Sequence, residues 1–169
     1  RTGRAWRVRA EGVVRFCDAV QGEQQIDLAA DAGDYVVKRA DGLFAYQLAV
    51  VVDDAEAGVT HVVRGADLLD STARQIHLLG LLGHPVPAYA HLPLATNPAG
   101  EKLSKQTLAR AIDEHPPQAA LLAALRFLGH NPPDMLTAAP LVETWAWARA
   151  HWSLAAVPRR RQAVADGFF

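Results

Sequence analysis

Cysteine is almost absent from this chain, which contains Cys17 and no other among its 169 residues. A single cysteine excludes an internal disulfide and a cysteine-cluster zinc site within the chain, so we expect no zinc here. We interpret Cys17 as a small apolar residue of a strand, because a free cysteine usually packs as a hydrophobe.

Long apolar runs and leader signals are missing as well. No segment approaches the roughly 20 consecutive apolar residues that cross a bilayer, and no charged-then-apolar leader opens the chain. We therefore expect no membrane partner and a cytoplasmic location. The formal net charge of −1 argues against a protein that binds nucleic acid over its whole surface. The chain begins at Arg1 instead of Met, which suggests a piece of a longer protein.

What is present is a composition that suits a globular core, with 50% hydrophobic and 21% charged residues. Alternating and β-branched segments predict strands at 6–10, 13–17, 34–39, 60–65 and 89–94. Helical spacing and end signals predict helices at 43–57, from Ser71 or Thr72 to Gly83, at 107–115, from Pro116 or Pro117 to Gly129, and from Pro140 through Trp152. The run Val50-Val51-Val52 leaves a strand open as an alternative for the first helix.

The order of these elements predicts an α/β fold. Between residues 34 and 94, the order strand, helix, strand, helix, strand is typical of half of a doubly wound nucleotide fold. We expect the strand at 60–65 to be buried, as in parallel sheets. The composition then turns helical, so we predict an α/β part over 1–106 and a helical appendage over 107–169. Trp145 and Trp152 lie at helical spacing, which favours core positions over base stacking.

Two lysines lie on a short loop, Lys102-Leu103-Ser104-Lys105-Gln106, that follows a strand and a glycine turn. Lysines on a mobile loop can stabilise the charge that develops on a departing polyphosphate. Taken alone, a loop with two lysines is more often plain solvated surface. Its place after a buried strand makes a phosphate clamp the more informative hypothesis.

Arg64 ends a predicted strand and precedes a short acidic turn. A guanidinium can hold a carboxylate with two charge-assisted hydrogen bonds. Spacing alone favours a different role for Arg64, a salt bridge with Asp67 or Asp70. For Tyr46, which lies in the preceding helix, spacing alone favours a core tyrosine whose hydroxyl is satisfied.

These segments together resemble a known family. Residues 43–54, residues 58–69 and the Lys102–Gln106 loop resemble, in order and spacing, the second half of the class I glutamyl-tRNA synthetase catalytic core and its KMSKS-type loop. The resemblance runs from about Val14 to Gln106. Gln106, where the full-length enzymes usually have arginine, and the short tail after it are most similar to the truncated branch, the glutamyl-Q tRNA(Asp) synthetases.

The resemblance implies a function and a set of site residues. It implies activation of L-glutamate by ATP, which enters with Mg²⁺, and transfer of the glutamate to queuosine in the anticodon of tRNA(Asp). Tyr46 and Arg64 fall on the family's glutamate-binding positions, Lys105 on its ATP-contact position, and Lys102 beside it. We expect a monomer. The resemblance also implies that the first nucleotide-binding half, with its His-x-Gly-His signature, is absent, so this chain alone should be inactive.

Two alternatives stay open at this point. The chain could derive from an ordinary glutamyl-tRNA synthetase, or it could be a non-catalytic module that binds tRNA or a partner protein. Two segments imitate the missing signature, Gly83-His84 and Gly129-His130. Both lack the first histidine and lie at predicted helix C-termini, the wrong end of the dipole for phosphate.

Overall fold

The computed structural model describes residues 3–104 and 116–165. The chain divides into two compact units, Arg1–His91 and Leu92–Phe169. The boundary that we predict between residues 106 and 107 lies outside the described residues, as does the helix predicted at 107–115, so both stay predictions. Within the described ranges, no helix combines the length and the apolar character needed to cross a bilayer.

A mixed four-stranded sheet organises the first unit, in the order β3-β2-β6-β5. Its strands are β2 (Val13–Asp18), β3 (Gly22–Asp27), β5 (His61–Gly65) and β6 (Ala88–Leu92). β2 and β3 form an antiparallel hairpin, and β2 runs parallel to β6 where Asp18 lies opposite Tyr89. The sequence did not predict β3, because this edge strand is polar and Ile26 is its one large apolar residue.

The strand predicted at 34–39 has a different partner from the one expected. It appears as β4 (Tyr35–Lys38), which pairs antiparallel with β1 (Trp6–Val8) in a separate two-stranded sheet. The prediction that it begins the doubly wound order is therefore wrong, because β2 occupies the position beside β6. The prediction of a buried strand at 60–65 is also wrong. β5 lies at the edge of the sheet, and its Val63 side chain is 61% exposed.

Two helices cover the first unit. α1 (Tyr46–Glu56) confirms the helix predicted at 43–57, and α2 (Leu69–Leu82) ends, as predicted, at Gly83. The predicted cap at Ser71 or Thr72 is wrong, because α2 begins two residues earlier and no side chain caps it. The helices pack together through the buried side chains Tyr35, Val51, Leu78 and Leu79. Burying such a side chain contributes about 1.5–3 kcal/mol.

The second unit combines a small parallel pair of strands with two helices. The strands are β7 (Leu94–Thr96) and β8 (Gln162–Val164), and the helices are α3 (Pro117–Phe127) and α4 (Leu141–His151). Both helices begin next to proline, as predicted, since proline is suited to a first helical turn. The prediction that Trp145 and Trp152 are core residues is wrong. They are 49% and 46% exposed and line an open apolar groove.

Gly129 provides a test of the second unit's packing. Its φ is +82°, and a Cβ atom there would lie 2.1 Å from the carbonyl oxygen of Ala156. Gly100 has the same φ of +82° but open space around it. We expect Gly100→Ala to lower the free energy of unfolding by roughly 1–2 kcal/mol, the cost of the left-handed conformation. Gly129→Ala should lower the free energy of unfolding by clearly more than Gly100→Ala does, because the backbone must also move to make room for the Cβ atom.

Chemical denaturation of the two variants and the parent chain measures the difference. Equal losses for the two substitutions would show that the close approach of residues 129 and 156 does not hold.

Candidate functional site

Arg64 is the centre of a polar network in the first unit. Its Nε–H donates to Nε2 of His91 at 3.0 Å. Its Nη2 donates to Oγ1 of Thr72 at 2.9 Å and to Oε1 of Gln75 at 2.7 Å. All three partners are side chains of elements adjacent to the end of β5, namely β6 and the first two turns of α2. The guanidinium is therefore held on two of its three nitrogen atoms.

The described hydrogen-bond partners of Arg64 carry no negative charge themselves. Thr72 and Gln75 are neutral, and within residues 3–104 and 116–165 Arg64 forms no ion pair with Asp67 or Asp70, the alternative that spacing favoured. A guanidinium has five N–H donors, and no described side chain hydrogen-bonds Nη1. The ring of Tyr89 lies 5.7 Å from the guanidinium carbon, a cation–π distance. The arrangement suits an anionic ligand that approaches Nη1.

Asp18 and His91 form a buried pair behind Arg64. Both side chains are 0% exposed, and His91 Nδ1 lies 2.6 Å from Asp18 Oδ2. Asp18 Oδ1 accepts hydrogen bonds from the backbone N–H groups of Val20, Gln21 and His91, at 3.0, 2.8 and 3.1 Å. A buried carboxylate is tolerated only when its oxygens are satisfied. Here both oxygens of Asp18 have donors.

The protonation of this pair follows from its surroundings. Burial alone would raise the pKa of Asp18, but hydrogen bonds from Gln21, His91 and Val20 outweigh it and hold that pKa below its usual value. Burial lowers the pKa of His91, and although Asp18 opposes this, the net direction is downward. At neutral pH, Asp18 is therefore charged and the His91 ring is neutral.

A second arm of the network runs from Gln75 to the start of α1. Nε2 of Gln75 donates to Oε1 of Gln47 at 2.9 Å, and Nε2 of Gln47 donates to Oγ of Ser71 at 3.1 Å. Tyr46, a predicted glutamate contact, is the first residue of α1 and is 53% exposed. The structure thus places Tyr46 next to a member of the network, and in the described part of the chain it has no hydrogen bond with Arg64.

The predicted phosphate loop lies in the second unit. Lys102 forms an antiparallel bridge with Thr96, and Leu103 N–H donates to the carbonyl of Ala95 at 2.9 Å. Asn97 closes the turn between them through two side-chain hydrogen bonds with Glu101 of 2.9 Å each. A hairpin therefore presents Lys102, whereas Lys105 lies outside the described residues. Arg64 belongs to the first unit and Lys102 to the second.

Other predicted features have plain structural roles. Asp53 and Asp54 lie in the last turn of α1, as expected of polar residues at a helix end. His130 follows α3 and stacks on Trp152 at 4.6 Å, while its Nε2 accepts a hydrogen bond from the N–H of Ser153. Within the described ranges, no group of three or more His, Cys, Asp or Glu side chains could hold a metal ion.

Sequence analysis missed the residues that surround Arg64. Neither Asp18 nor His91 was predicted to be a site residue. A signal was available, because His91 is a polar residue inside the apolar run Tyr89-Ala90-His91-Leu92, and buried polar side chains need partners. The partner itself could not be identified, since Asp18 lies 73 residues away in sequence.

The buried pair predicts how stability depends on pH. In the unfolded chain, His91 takes up a proton near pH 6.5, the usual pKa of histidine. In the folded chain, the pKa of His91 is lower, so the ring takes up this proton only at lower pH. The free energy of unfolding should therefore fall as the pH drops below about 6.5, and Asp18 should add a loss below about 3.9. Denaturation at several pH values and an NMR titration of the His91 ring test this. Protonation of that ring above pH 6.5 in the folded chain would contradict it.

Known sequences provide close matches to the chain. A Glutamyl-Q tRNA(Asp) synthetase from Aromatoleum aromaticum is 65% identical over 169 residues, which are 100% of this chain and 54% of that protein. One from Thiobacillus denitrificans is 59% identical over 92% of this chain and 52% of its own length. The chain thus spans about half the length of the curated relatives it matches.

Solved structures match the fold. A glutamate tRNA ligase from Elizabethkingia meningosepticum, in complex with its amino acid, superposes with a TM-score of 0.69 at 23% identity. The match covers 94% of this chain and 35% of that one. The family described as tRNA synthetases class I (E and Q), catalytic domain, matches residues 4–142. The α/β fold class is thereby confirmed, and the chain belongs to the class I (E and Q) tRNA synthetase catalytic-domain family.

Proposed function

We propose that this chain takes part in the ATP-dependent activation of L-glutamate and in the transfer of the glutamate to queuosine in the anticodon of tRNA(Asp). The observation that carries the proposal is the guanidinium of Arg64, which uncharged side chains hold at Nε and Nη2, while none in residues 3–104 and 116–165 bonds to Nη1. The names of relatives that are 51–65% identical support the same activity. Because the chain spans about half of those relatives, the activity is proposed for the completed enzyme.

Arg64 is the proposed contact for a carboxylate of L-glutamate. Nη1, to which no side chain in the described part of the chain bonds, offers two N–H donors and a positive charge to an acid, and the donors on Nε and Nη2 are already fixed in direction. Tyr46 is the proposed second contact, because this half-exposed tyrosine at the start of α1 carries a hydroxyl that can orient the remaining polar groups of the amino acid. A ligand without a carboxylate would leave the positive charge of Arg64 without a counter-charge at Nη1.

Lys102 and Lys105 are the proposed contacts for ATP. When a glutamate carboxylate oxygen attacks the α-phosphorus of ATP, the bond from that phosphorus to the oxygen that bridges to the β-phosphate breaks, and pyrophosphate leaves. Charge therefore grows on the leaving group in the transition state, and lysine ammonium groups on a loop can stabilise that charge selectively. Mg²⁺ that enters with ATP would lower the charge of this leaving group. The hairpin that presents Lys102 gives this loop a defined beginning.

The proposal extends to the cellular setting. A modification of tRNA(Asp) takes place where the tRNA is, so we propose a cytoplasmic enzyme. We also propose that it acts as a monomer.

Glutamate-dependent ATP–pyrophosphate exchange tests these assignments. The chain is completed with the part of the Aromatoleum relative that it does not span, and exchange is measured with and without L-glutamate. We expect Arg64→Ala and Lys105→Ala each to lower the glutamate-dependent rate by about 10²-fold or more, the usual loss when a transition-state or substrate charge contact is removed. Arg39→Ala, which removes an exposed arginine paired with Asp41, serves as the control and should have little effect.

The outcomes separate the alternatives. Exchange that is unchanged in Arg64→Ala and Lys105→Ala would contradict the site assignments. Glutamate attached to the 3′ end of tRNA(Glu), in place of tRNA(Asp) containing queuosine, would favour an ordinary glutamyl-tRNA synthetase. Salt-sensitive RNA binding with no glutamate effect and no exchange would favour a non-catalytic module.

A further inference from the structure

The pair Asp18 and His91 has no role in the proposed chemistry, yet it is the most deeply buried charged group of the first unit. Neither side chain is exposed to solvent, and the pair lies where β2 and β6 meet. A buried carboxylate is costly unless the fold makes use of its hydrogen bonds. The other side of the His91 ring contacts Arg64, with 3.0 Å between Nε of Arg64 and Nε2 of His91.

The direction of each hydrogen bond in the pair can be worked out from Arg64. An arginine nitrogen only donates, so Nε2 of His91 must accept from Arg64 and cannot carry a proton. The proton of the neutral ring is therefore on Nδ1, and it is donated to Oδ2 of Asp18 at 2.6 Å. The lowered pKa of His91 agrees with a neutral ring.

The remaining partners are consistent with the same order. Thr72 has one hydroxyl proton, and its oxygen lies 3.2 Å from the carbonyl of Leu68, so it can donate there while it accepts from Arg64 Nη2. Gln75 accepts from Arg64 through Oε1 and donates through Nε2 to Gln47. Each hydrogen bond on this side starts at the guanidinium and leads away from it. The Thr72 oxygen also lies 3.2 Å from Nε2 of His91, so the contacts that depend on which ring nitrogen holds the proton are the two at Nε2, with Arg64 and with Thr72.

We propose that Asp18 and His91 are positioning residues for Arg64: Asp18 fixes the proton on Nδ1 of His91, which makes Nε2 the acceptor that locks Arg64 with Nη1 facing the acidic substrate. This inference rests on the proposed role of Arg64 in binding glutamate. Without an acceptor for Nε–H, the guanidinium is held at Nη2 alone and can turn about its Cδ–Nε bond. Nη1 then no longer has a fixed direction.

Asp18→Asn separates this role from a merely structural one. Oδ1 of Asp18 already accepts three backbone N–H groups, so the amide oxygen of asparagine should take that position. The amide nitrogen then occupies the place of Oδ2 and donates to Nδ1 of His91. The ring must move its proton to Nε2, where it opposes the Nε–H of Arg64 and can be donated only toward the Thr72 oxygen, 3.2 Å away. The turn stays capped, whereas the acceptor is lost.

NMR on this chain tests the lock directly, without any activity. In the parent chain we expect the ring nitrogens of His91 to show the Nδ1–H tautomer, with a scalar coupling between Arg64 Nε and His91 Nε2 across the hydrogen bond. In Asp18→Asn we expect the Nε2–H tautomer and no coupling. Asp27→Asn is the matched control, because Asp27 also accepts two backbone N–H groups in a turn but has no histidine partner. An Nε2–H tautomer in the parent chain overturns the inference.

Kinetics on the completed enzyme test the consequence. In Asp18→Asn we expect the KM for glutamate to rise about 10- to 100-fold, the loss expected when a hydrogen bond to a charged group is unmade, with the KM for ATP within about twofold. His91→Gln supplies an amide oxygen that needs no tautomer, so Asp18→Asn in that background should have little further effect on glutamate. An unchanged glutamate KM in Asp18→Asn overturns the inference.

The two levels of failure can be told apart. If the completed parent enzyme shows no glutamate-dependent exchange, the proposed function fails, and the NMR result alone decides whether Asp18 and His91 hold Arg64. If exchange is present but Asp18→Asn and Asp27→Asn behave alike in both measurements, the positioning role fails and the proposed function stands.

Discussion

The first unit depends on the buried carboxylate of Asp18. It accepts four hydrogen bonds, two from the turn after β2 and two from His91 on β6. A charge without solvent must be satisfied by protein donors, or it costs several kcal/mol. The fold supplies these donors only when β2 and β6 are adjacent and in register. The same contact therefore joins two strands and orients the ring that faces Arg64.

The electrostatics of the site follow from the choice of partners around Arg64. A guanidinium paired with a carboxylate has little attraction left for a ligand, whereas Thr72, Gln75 and a neutral His91 fix its geometry and leave its charge. The His91 ring separates the carboxylate of Asp18 from Arg64. That carboxylate therefore offsets part of the guanidinium's charge from a distance and does not occupy Nη1. This division agrees with the proposed role of Arg64 in binding an acid.

Sequence patterns were reliable where local physics dominates. The glycines after α1 and α2 end both helices with positive φ, and the prolines before α3 and α4 begin them. Sequence patterns gave wrong predictions where contacts with residues distant in the chain determine the structure. The polar strand β3 is stabilised by its pairing with β2, and Trp145 and Trp152 have helical spacing but remain about half exposed. Thr72 has the chemistry of a helix cap, but its hydroxyl contacts Arg64 instead.

The sequence by itself determined the α/β class, the end of α2 at Gly83, the starts of α3 and α4 and, through the resemblance, the identity of Arg64 as a candidate for binding an acid. Those features depend on residues close together in the chain or on a motif that can be recognised. Only the tertiary structure decided that β4 pairs with β1, that β5 is an edge strand, and that Asp18 stands behind His91. The reason is physical: a hydrogen bond between residues 73 positions apart has no local signature, and its partner is defined only when strands meet.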